Sequence, residues 1–300
     1  MKIFIAGASG AIGQPLIDEL IKRGHSVTGM THSTESAKRL QERGAHAELA
    51  SALDGEAVAS AMRRAAPEVV IDQLTSLPKN PADMPEYLLN DRKLRDVGGD
   101  NLHRAAQAVG ARRYIQQSSG FYLAPGDGQG DESTPLAIDA GGNVGLGSQM
   151  YALLEKRVLN CPSMEGVAMR YGFFYGPNTW YHKEGAAADN VRQRLSPIIG
   201  KGEGIWCFVH IEDAAKATVA ALEAEPGIYQ VVDNDPSPVS VWLPKFAQFV
   251  GAPPPPRITE AEARVQAGDD AVYYATKLRA ASNEKARRML EFKPRQLEWL

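Results

Sequence analysis

The sequence predicts an α/β fold built on a doubly wound parallel sheet. Two observations carry that prediction. Short apolar runs alternate with segments of helical periodicity from Lys2 to Ser118, the spacing of successive βαβ units. A glycine-rich turn, Gly7-Ala-Ser-Gly10-Ala-Ile-Gly13, joins the first apolar run to the first periodic segment.

Lys2–Ala6 is apolar and too short for a helix, so it reads as the first strand. Ile12–Arg23 places Ile12, Leu16, Leu20 and Ile21 at helical spacing, and Gly24 supplies the stop. His25–Met30 is the second strand, Glu35–Arg43 the second helix with Gly44 as its stop, and Ala45–Ala50 the third strand. Gly55–Ala65 is helical until Pro67, and Val69–Leu74 is the fourth strand. Leu88–Val109 reads as one long helix ended by Gly110, and Tyr114–Ser118 as the fifth strand. Ala124–Gly147 is rich in Gly, Asp and Pro, the composition of a long functional loop. A helix follows through Met150–Leu159, with Leu153, Leu154 and Val158 for its buried face, and Gly166–Tyr171 is the sixth strand. Beyond Gly176-Pro177 the segments shorten. Glu212–Ala224 and Val241–Val250 read as helices, Gly227–Val232 as a strand, and Gly251–Arg257 as a stiff proline-rich connector.

The chain of 300 residues is long enough for one large α/β unit or two coupled lobes with a sizeable core. Its apolar share of 44% and charged share of 23% are ordinary for a soluble globular protein. A net charge of -3 without a basic block gives no reason to expect nucleic acid or an acidic membrane as partner. No stretch approaches the roughly 18 apolar residues of a membrane span. The N-terminal apolar run ends at once in glycines, as a strand does and a signal peptide does not. Cys161 and Cys207 lie far apart without CxxC spacing, and are expected as reduced, buried thiols of a cytoplasmic protein. The six histidines are scattered, so no metal site is expected. The expected partner is a small-molecule substrate.

The glycine turn points to a dinucleotide. Gly7 permits the tight turn, Gly10 removes a side chain where backbone must approach a pyrophosphate, and Gly13 lets helix and strand pack closely. With Ser9, Ala11 and Ile12 they form an anion cradle at a helix N-terminus. The end of the second strand selects the cofactor. Thr31-His32-Ser33 stands where a carboxylate would hydrogen-bond the adenosine ribose. Thr31, His32 and Ser33 can donate to a 2′-phosphate, with Lys38 and Arg39 nearby, so NADP is the first choice and NAD the second. Leu53, Gln73, Leu74 and Thr75 are further cofactor candidates. Asp72, in the fourth strand, needs a hydrogen-bond partner if buried.

The chain resembles the short-chain dehydrogenase/reductase superfamily in its extended and atypical branches, the NAD-dependent epimerase/dehydratase group. The glycine turn, Gly110-Ala-Arg-Arg-Tyr-Ile-Gln-Gln-Ser118-Ser119, Arg170-Tyr-Gly-Phe-Phe-Tyr-Gly176-Pro177 and Phe208-Val-His210-Ile-Glu-Asp213-Ala-Ala carry the resemblance. It implies a Rossmann sheet with a smaller C-terminal substrate lobe. Residues 1–172 and 209–232 would form the dinucleotide-binding domain, and residues 173–208 and 233–300 the substrate lobe. A homodimer is one form open to the chain.

In that group a Tyr-x-x-x-Lys pair on the helix after the long loop performs the chemistry. The stretch Gly147-Ser-Gln-Met-Tyr-Ala-Leu-Leu-Glu-Lys156 holds a tyrosine and a lysine, but five residues apart. Five residues rotate about 500°, or about 140° off the starting face, so Tyr151 and Lys156 do not converge from a regular helix. Aligned on Glu155, the resemblance puts the group's lysine at Tyr151 and its tyrosine at Gly147. The catalytic candidates are then Ser118, Tyr122 and Tyr151, with Ser118 and Tyr151 also beside the cofactor. Ser119 and the aromatic stretch Trp180, Tyr181 and His182 are candidate pocket walls, with His182 a further candidate proton donor, and His210 is expected to be structural. The resemblance implies an NADP-dependent oxidoreductase passing hydride to or from a small or medium carbonyl or hydroxyl metabolite. A sugar-type epimerase or dehydratase with retained cofactor, and a redox sensor without turnover, are the alternatives.

Overall fold

A computed structural model describes all 300 residues. Seven parallel strands form the central sheet in the order β3-β2-β1-β4-β5-β6-β11. They are β1 (Lys2–Ala6), β2 (Ser26–Thr31), β3 (His46–Leu49), β4 (Val69–Asp72), β5 (Arg113–Ser119), β6 (Glu165–Tyr171) and β11 (Gly227–Val231). The strands between β6 and β11 in the chain are short: β7 (Phe173–Tyr175), β8 (Ile198–Ile199), β9 (Ile205–Trp206) and β10 (Phe208–His210). They pair outside the sheet, β7 with β10, β9 with β12 (Ser237–Pro238) and β8 with β13 (Arg257–Ile258).

Near-continuous apolar strands buried on both faces require helices on both sides. On one face α1 (Gly13–Lys22) and α8 (Ile211–Ala220) pack Leu16, Ile17, Ala214 and Val219 onto Ile3, Ile5, Ile71 and Ile115. On the other, α3 (Gly55–Ala65) and α5 (Gly99–Ala108) pack Val58, Met62, Leu102 and Ala106 onto Phe4, Val70 and Tyr114. Residues 3, 4 and 5 of β1 thus face alternate sides, as a strand requires. Strand order reverses between β1 and β4, which opens a crevice at the C-terminal ends of those two strands.

The remaining helices are α2 (Thr34–Glu42), α4 (Met84–Lys93), α6 (Gly142–Leu159), α7 (Ala186–Arg192), α9 (Val239–Phe249), α10 (Glu260–Thr276) and α11 (Glu284–Met289). Tyr175, Phe208, Trp242, Phe246 and Trp299 build a separate aromatic core outside the sheet. No helix is long and apolar enough to cross a membrane.

Several expected elements are corrected. The single helix from Leu88 to Val109 starts earlier, at Met84, and is interrupted by a π-helical turn over Leu94–Gly98. The helix expected at Met150 starts at Gly142, so the loop is shorter than its composition implies. Poor helix formers hold there because Asp270 of α10 accepts from the Asn143 and Val144 N–H groups at 3.1 and 3.3 Å and from Asn143 Nδ2 at 2.8 Å. Leu153, expected in the core, is 61% exposed, and the buried face of α6 runs through Tyr151, Leu154 and Val158. Helices α7, α10 and α11 have no counterpart in the sequence pattern, α10 because Gly268 kinks it at φ 82° and breaks its period. Both cysteines are free. Cys161 is half-buried rather than buried, and burial pushes the Cys207 thiol up to about 12.

Asp233, just past β11, is buried. Its Oδ1 accepts from the Asp235 N–H at 3.0 Å and its Oδ2 has no partner. Burial pushes its carboxyl up to about 7. The unfolded chain loses this proton near pH 4, so the folded state binds more protons between the two values. The stabilisation is complete below about pH 4 and is lost as pH rises through the folded value. Asp233→Asn is expected to remove a few kcal/mol of that slope between about pH 4 and 7, read from urea unfolding at a series of pH values; an unchanged slope would contradict the assignment.

Candidate active site

At the crevice the three glycines play unequal parts. Gly7 has φ 76°, and a Cβ there would collide with the Gln73 carbonyl at the end of β4. A Cβ on Gly13 would collide with the Ala8 carbonyl. A Cβ on Gly10 would meet only the Gly7 carbonyl oxygen, at 3.2 Å, so the outer side of this residue is open. The Ala11 and Ile12 N–H groups engage no backbone acceptor, and the first turn of α1 carries no acidic side chain. Free N–H groups, an unopposed helix dipole and an open glycine face suit a pyrophosphate. Ser9 is half-buried beside them.

At the tip of β2, Thr31 is buried, His32 is exposed, and Ser33 caps α2 by accepting from the Ser36 N–H at 3.1 Å. Arg39 and Lys38 are engaged on α2 with Glu35 and Glu42, at 2.7 and 3.9 Å. Leu53 is exposed and Thr75 half-buried. Gln73 is buried, its Nε2 donating to the Tyr171 hydroxyl at 3.3 Å while its Oε1 has no partner. Asp72 accepts from the Tyr114 hydroxyl at 2.9 Å and from the Leu74 N–H at 3.0 Å, so it is a structural group and burial raises its carboxyl.

At the end of β5, Ser118 is buried and engaged with α6. Its hydroxyl donates to Glu155 Oε1 at 2.6 Å. Glu155 is held in turn by Arg170, Nε to Oε1 at 2.7 Å and Nη2 to Oε2 at 2.8 Å, with both side chains buried. Ser118 therefore anchors α6 to the sheet through this carboxylate. Ser119 is buried and accepts from the Phe121 N–H at 3.4 Å.

Gly147, Tyr151 and Glu155 form one buried stripe on α6, while Lys156 faces solvent. The space above Gly147 is filled by Tyr122: a Cβ at 147 would lie 3.3 Å from its hydroxyl oxygen. The Tyr122 and Tyr274 hydroxyls are 2.6 Å apart, and the Tyr122 and Tyr151 rings are 5.8 Å apart. The Arg95 guanidinium lies 5.2 Å from the Tyr151 ring centre. Burial raises the pKa of all three phenols, which holds them in the neutral form. Tyr274 and Arg95 carried no signal in the sequence, one lying on a kinked helix and the other being a buried cation in a polar stretch.

A ladder of half-buried rings adjoins the phenols. Phe121 stacks on Phe173 at 4.1 Å and 15°, and Phe173 on Trp206 at 4.0 Å and 17°. Trp206 Nε1 donates to the Tyr274 carbonyl at 2.8 Å. Tyr181 meets Phe173 edge-on at 6.4 Å. Trp180 is pinned by its Nε1 to the Pro78 carbonyl at 3.0 Å. His182 accepts from the Glu184 N–H at 3.3 Å within its own loop and is not joined to the tyrosines. His210 caps α8, accepting from the Glu212 N–H at 3.2 Å.

A parallel sheet with an open glycine turn at its switch point and a cluster of buried and half-buried phenols at the neighbouring strand end fits a nicotinamide dinucleotide-dependent class of enzyme. The chain belongs to the NAD dependent epimerase/dehydratase family, whose sequence profile matches residues 3–231. It is 38% identical over 302 aligned residues to a 3-diazoavenalumate denitrifying reductase of a Streptomyces species, covering 100% of this chain and 98% of that protein. It is 27% identical to a 2-alkyl-3-oxoalkanoate reductase of Stenotrophomonas maltophilia, covering 84% and 77%. Among solved structures, a Thermus thermophilus UDP-glucose 4-epimerase in complex with NAD superposes with a TM-score of 0.74 at 20% identity, over 98% of this chain and 94% of that one. The fold is therefore that of these epimerases, and the chemistry at family level is that of NAD(P)-dependent oxidoreductases and epimerases.

The unequal glycines give a test. Gly10→Val is expected to fold with near-native thermal stability and to lose nicotinamide dinucleotide binding, followed by the fluorescence of the reduced cofactor. Gly7→Ala is expected to lose about 1–3 kcal/mol of stability through strain. Undiminished binding by Gly10→Val would contradict the cradle.

Proposed function

We propose that the chain is an NADPH-dependent reductase acting on a planar, conjugated substrate. The ladder Phe121–Phe173–Trp206 beside the Tyr122–Tyr274 hydroxyl pair carries this reading. Offset or parallel aromatic faces hold a flat ring system and exclude water from it. Tyr181 and Trp180 extend the same wall, and residues 173–208 and 233–300 form the substrate lobe. The preference for NADP rests on the absence of a carboxylate at Thr31-His32-Ser33 and on the capped N-terminus of α2. The exposed pairs of Arg39 and Lys38 are worth at most about 1 kcal/mol each, so a 2′-phosphate can draw either cation.

When bound, the nicotinamide supplies a hydride. The chain's own residues hold the acceptor flat against the rings and offer a proton from Tyr122, whose hydroxyl is positioned by Tyr274. Two acceptors fit. A diazo carbon takes up one hydride and one proton as its C–N bond breaks and dinitrogen leaves; water supplies that proton, so no alkoxide has to be protonated by Tyr122. The resemblance to the denitrifying reductase and the glycine at position 147 favour this acceptor. A carbonyl takes up the same hydride and a proton to become a carbinol, and the Tyr122 hydroxyl, held 2.6 Å from that of Tyr274, is the donor.

NADPH oxidation with an aromatic diazo compound and with an aromatic ketone tests the proposal. Turnover of the diazo compound with one dinitrogen released per NADPH is expected. Tyr122→Phe is expected to slow ketone reduction by about 10²–10⁴ and to slow diazo reduction far less. If neither compound oxidises NADPH, the reductase reading fails.

A further inference from the structure

The cation beside Tyr151 is not explained by the fold. Arg95 is 4% exposed, its Nε donates to Asp91 Oδ2 at 2.8 Å, and its Nη1 has no partner. A buried donor on a permanently charged group is rarely left unpaired, and one in a native structure points to a group that completes it. The segment holding Arg95 belongs to the crevice. Asp91 Oδ1 accepts from the Ser76 N–H at 2.7 Å, just past β4, and a Cβ on Gly98 would lie 3.1 Å from Ala52 and 3.4 Å from Leu74. Arg95 also sits in the π-helical turn Leu94–Gly98, which inserts one residue and re-aims its side chain.

The guanidinium stacks over Tyr151, the residue standing where the family resemblance places a lysine. A cation is therefore missing at position 151 and present one ring away. We propose that Arg95 binds the nicotinamide half of the dinucleotide, with Nη1 donating to a ribose hydroxyl and the Tyr151 ring serving as the platform that holds the guanidinium. The proposal rests on the cofactor reading above and assigns Arg95 the binding part of the absent lysine. The charges facing the guanidinium are Asp91, which holds it in place, and Asp72, which is already bonded to Tyr114 and Leu74. Arginine keeps its charge at every working pH, so Arg95 positions and does not exchange protons.

The test separates the two halves of the cofactor. Calorimetry measures the affinity for the tighter of NADPH and NADH, and for its adenine half alone, adenosine 2′,5′-bisphosphate or ADP. Arg95→Met is expected to weaken the whole dinucleotide roughly tenfold or more and the adenine half less than about twofold, the scale of one lost charge-assisted hydrogen bond. The double variant Arg95→Met/Asp91→Asn removes the unpaired buried carboxylate and is expected to behave the same way. Equal weakening of both ligands would make Arg95 a structural residue and overturn the proposal, as would unchanged dinucleotide affinity, including the case in which only substrate affinity falls. Failure of the unaltered protein to bind either ligand would overturn the cofactor reading itself.

Discussion

The buried ion pair between Arg170 and Glu155 is the constraint on which the site depends. It ties β6 to α6 with two short charge-assisted bonds, and Ser118 of β5 adds a third bond to the same carboxylate. Arg170 Nη1 also donates to the Thr134 carbonyl at 3.2 Å, which fastens the loop before α6. Removing one partner of such a pair costs about 3–5 kcal/mol, because the other is left buried and uncompensated. The geometric consequence matters as much. With Glu155 fixed, helical spacing places Tyr151 and Gly147 on the same buried face of α6, and the gap at Gly147 is where Tyr122 fits.

The polar groups around Tyr151 differ from the Tyr-x-x-x-Lys pair that the family resemblance implies. A lysine four residues after a tyrosine would lower the phenol pKa and let it act in both directions. Here burial raises the pKa of Tyr122, Tyr151 and Tyr274, and the nearby cation is an arginine reached from another helix. A raised pKa keeps each phenol neutral and makes it a weaker acid than a lysine-paired tyrosine. The ring ladder beside them presents a flat apolar wall.

The parts legible in the sequence were those with a local physical signature. The period-2 and period-3.6 patterns located the sheet and most of its helices, and the strand–turn–helix context located the tight turn at Gly7–Gly13. The five-residue spacing of Tyr151 and Lys156 correctly separated a buried side chain from an exposed one. Long-range geometry was not legible. Ser118 has the look of a catalytic hydroxyl in the sequence, and its bond to Glu155, 37 residues away, is not legible there. The glycine-rich start of α6 has the composition of a loop because its cap, Asp270, is far away in sequence. Tyr274 and Arg95 enter the site through a kinked helix and a π turn, two irregularities that erase periodic signals.

The most direct measurement is a crystal structure of the chain with NADP⁺. The expected result is pyrophosphate density on the Ala11 and Ile12 N–H groups over Gly10, with the nicotinamide end turned toward Tyr122 and Tyr151 and its ribose within hydrogen-bond distance of Arg95. A nucleotide bound away from the glycine turn, or a nicotinamide end directed away from the tyrosines, would contradict the placement of the cofactor on which the proposed chemistry rests.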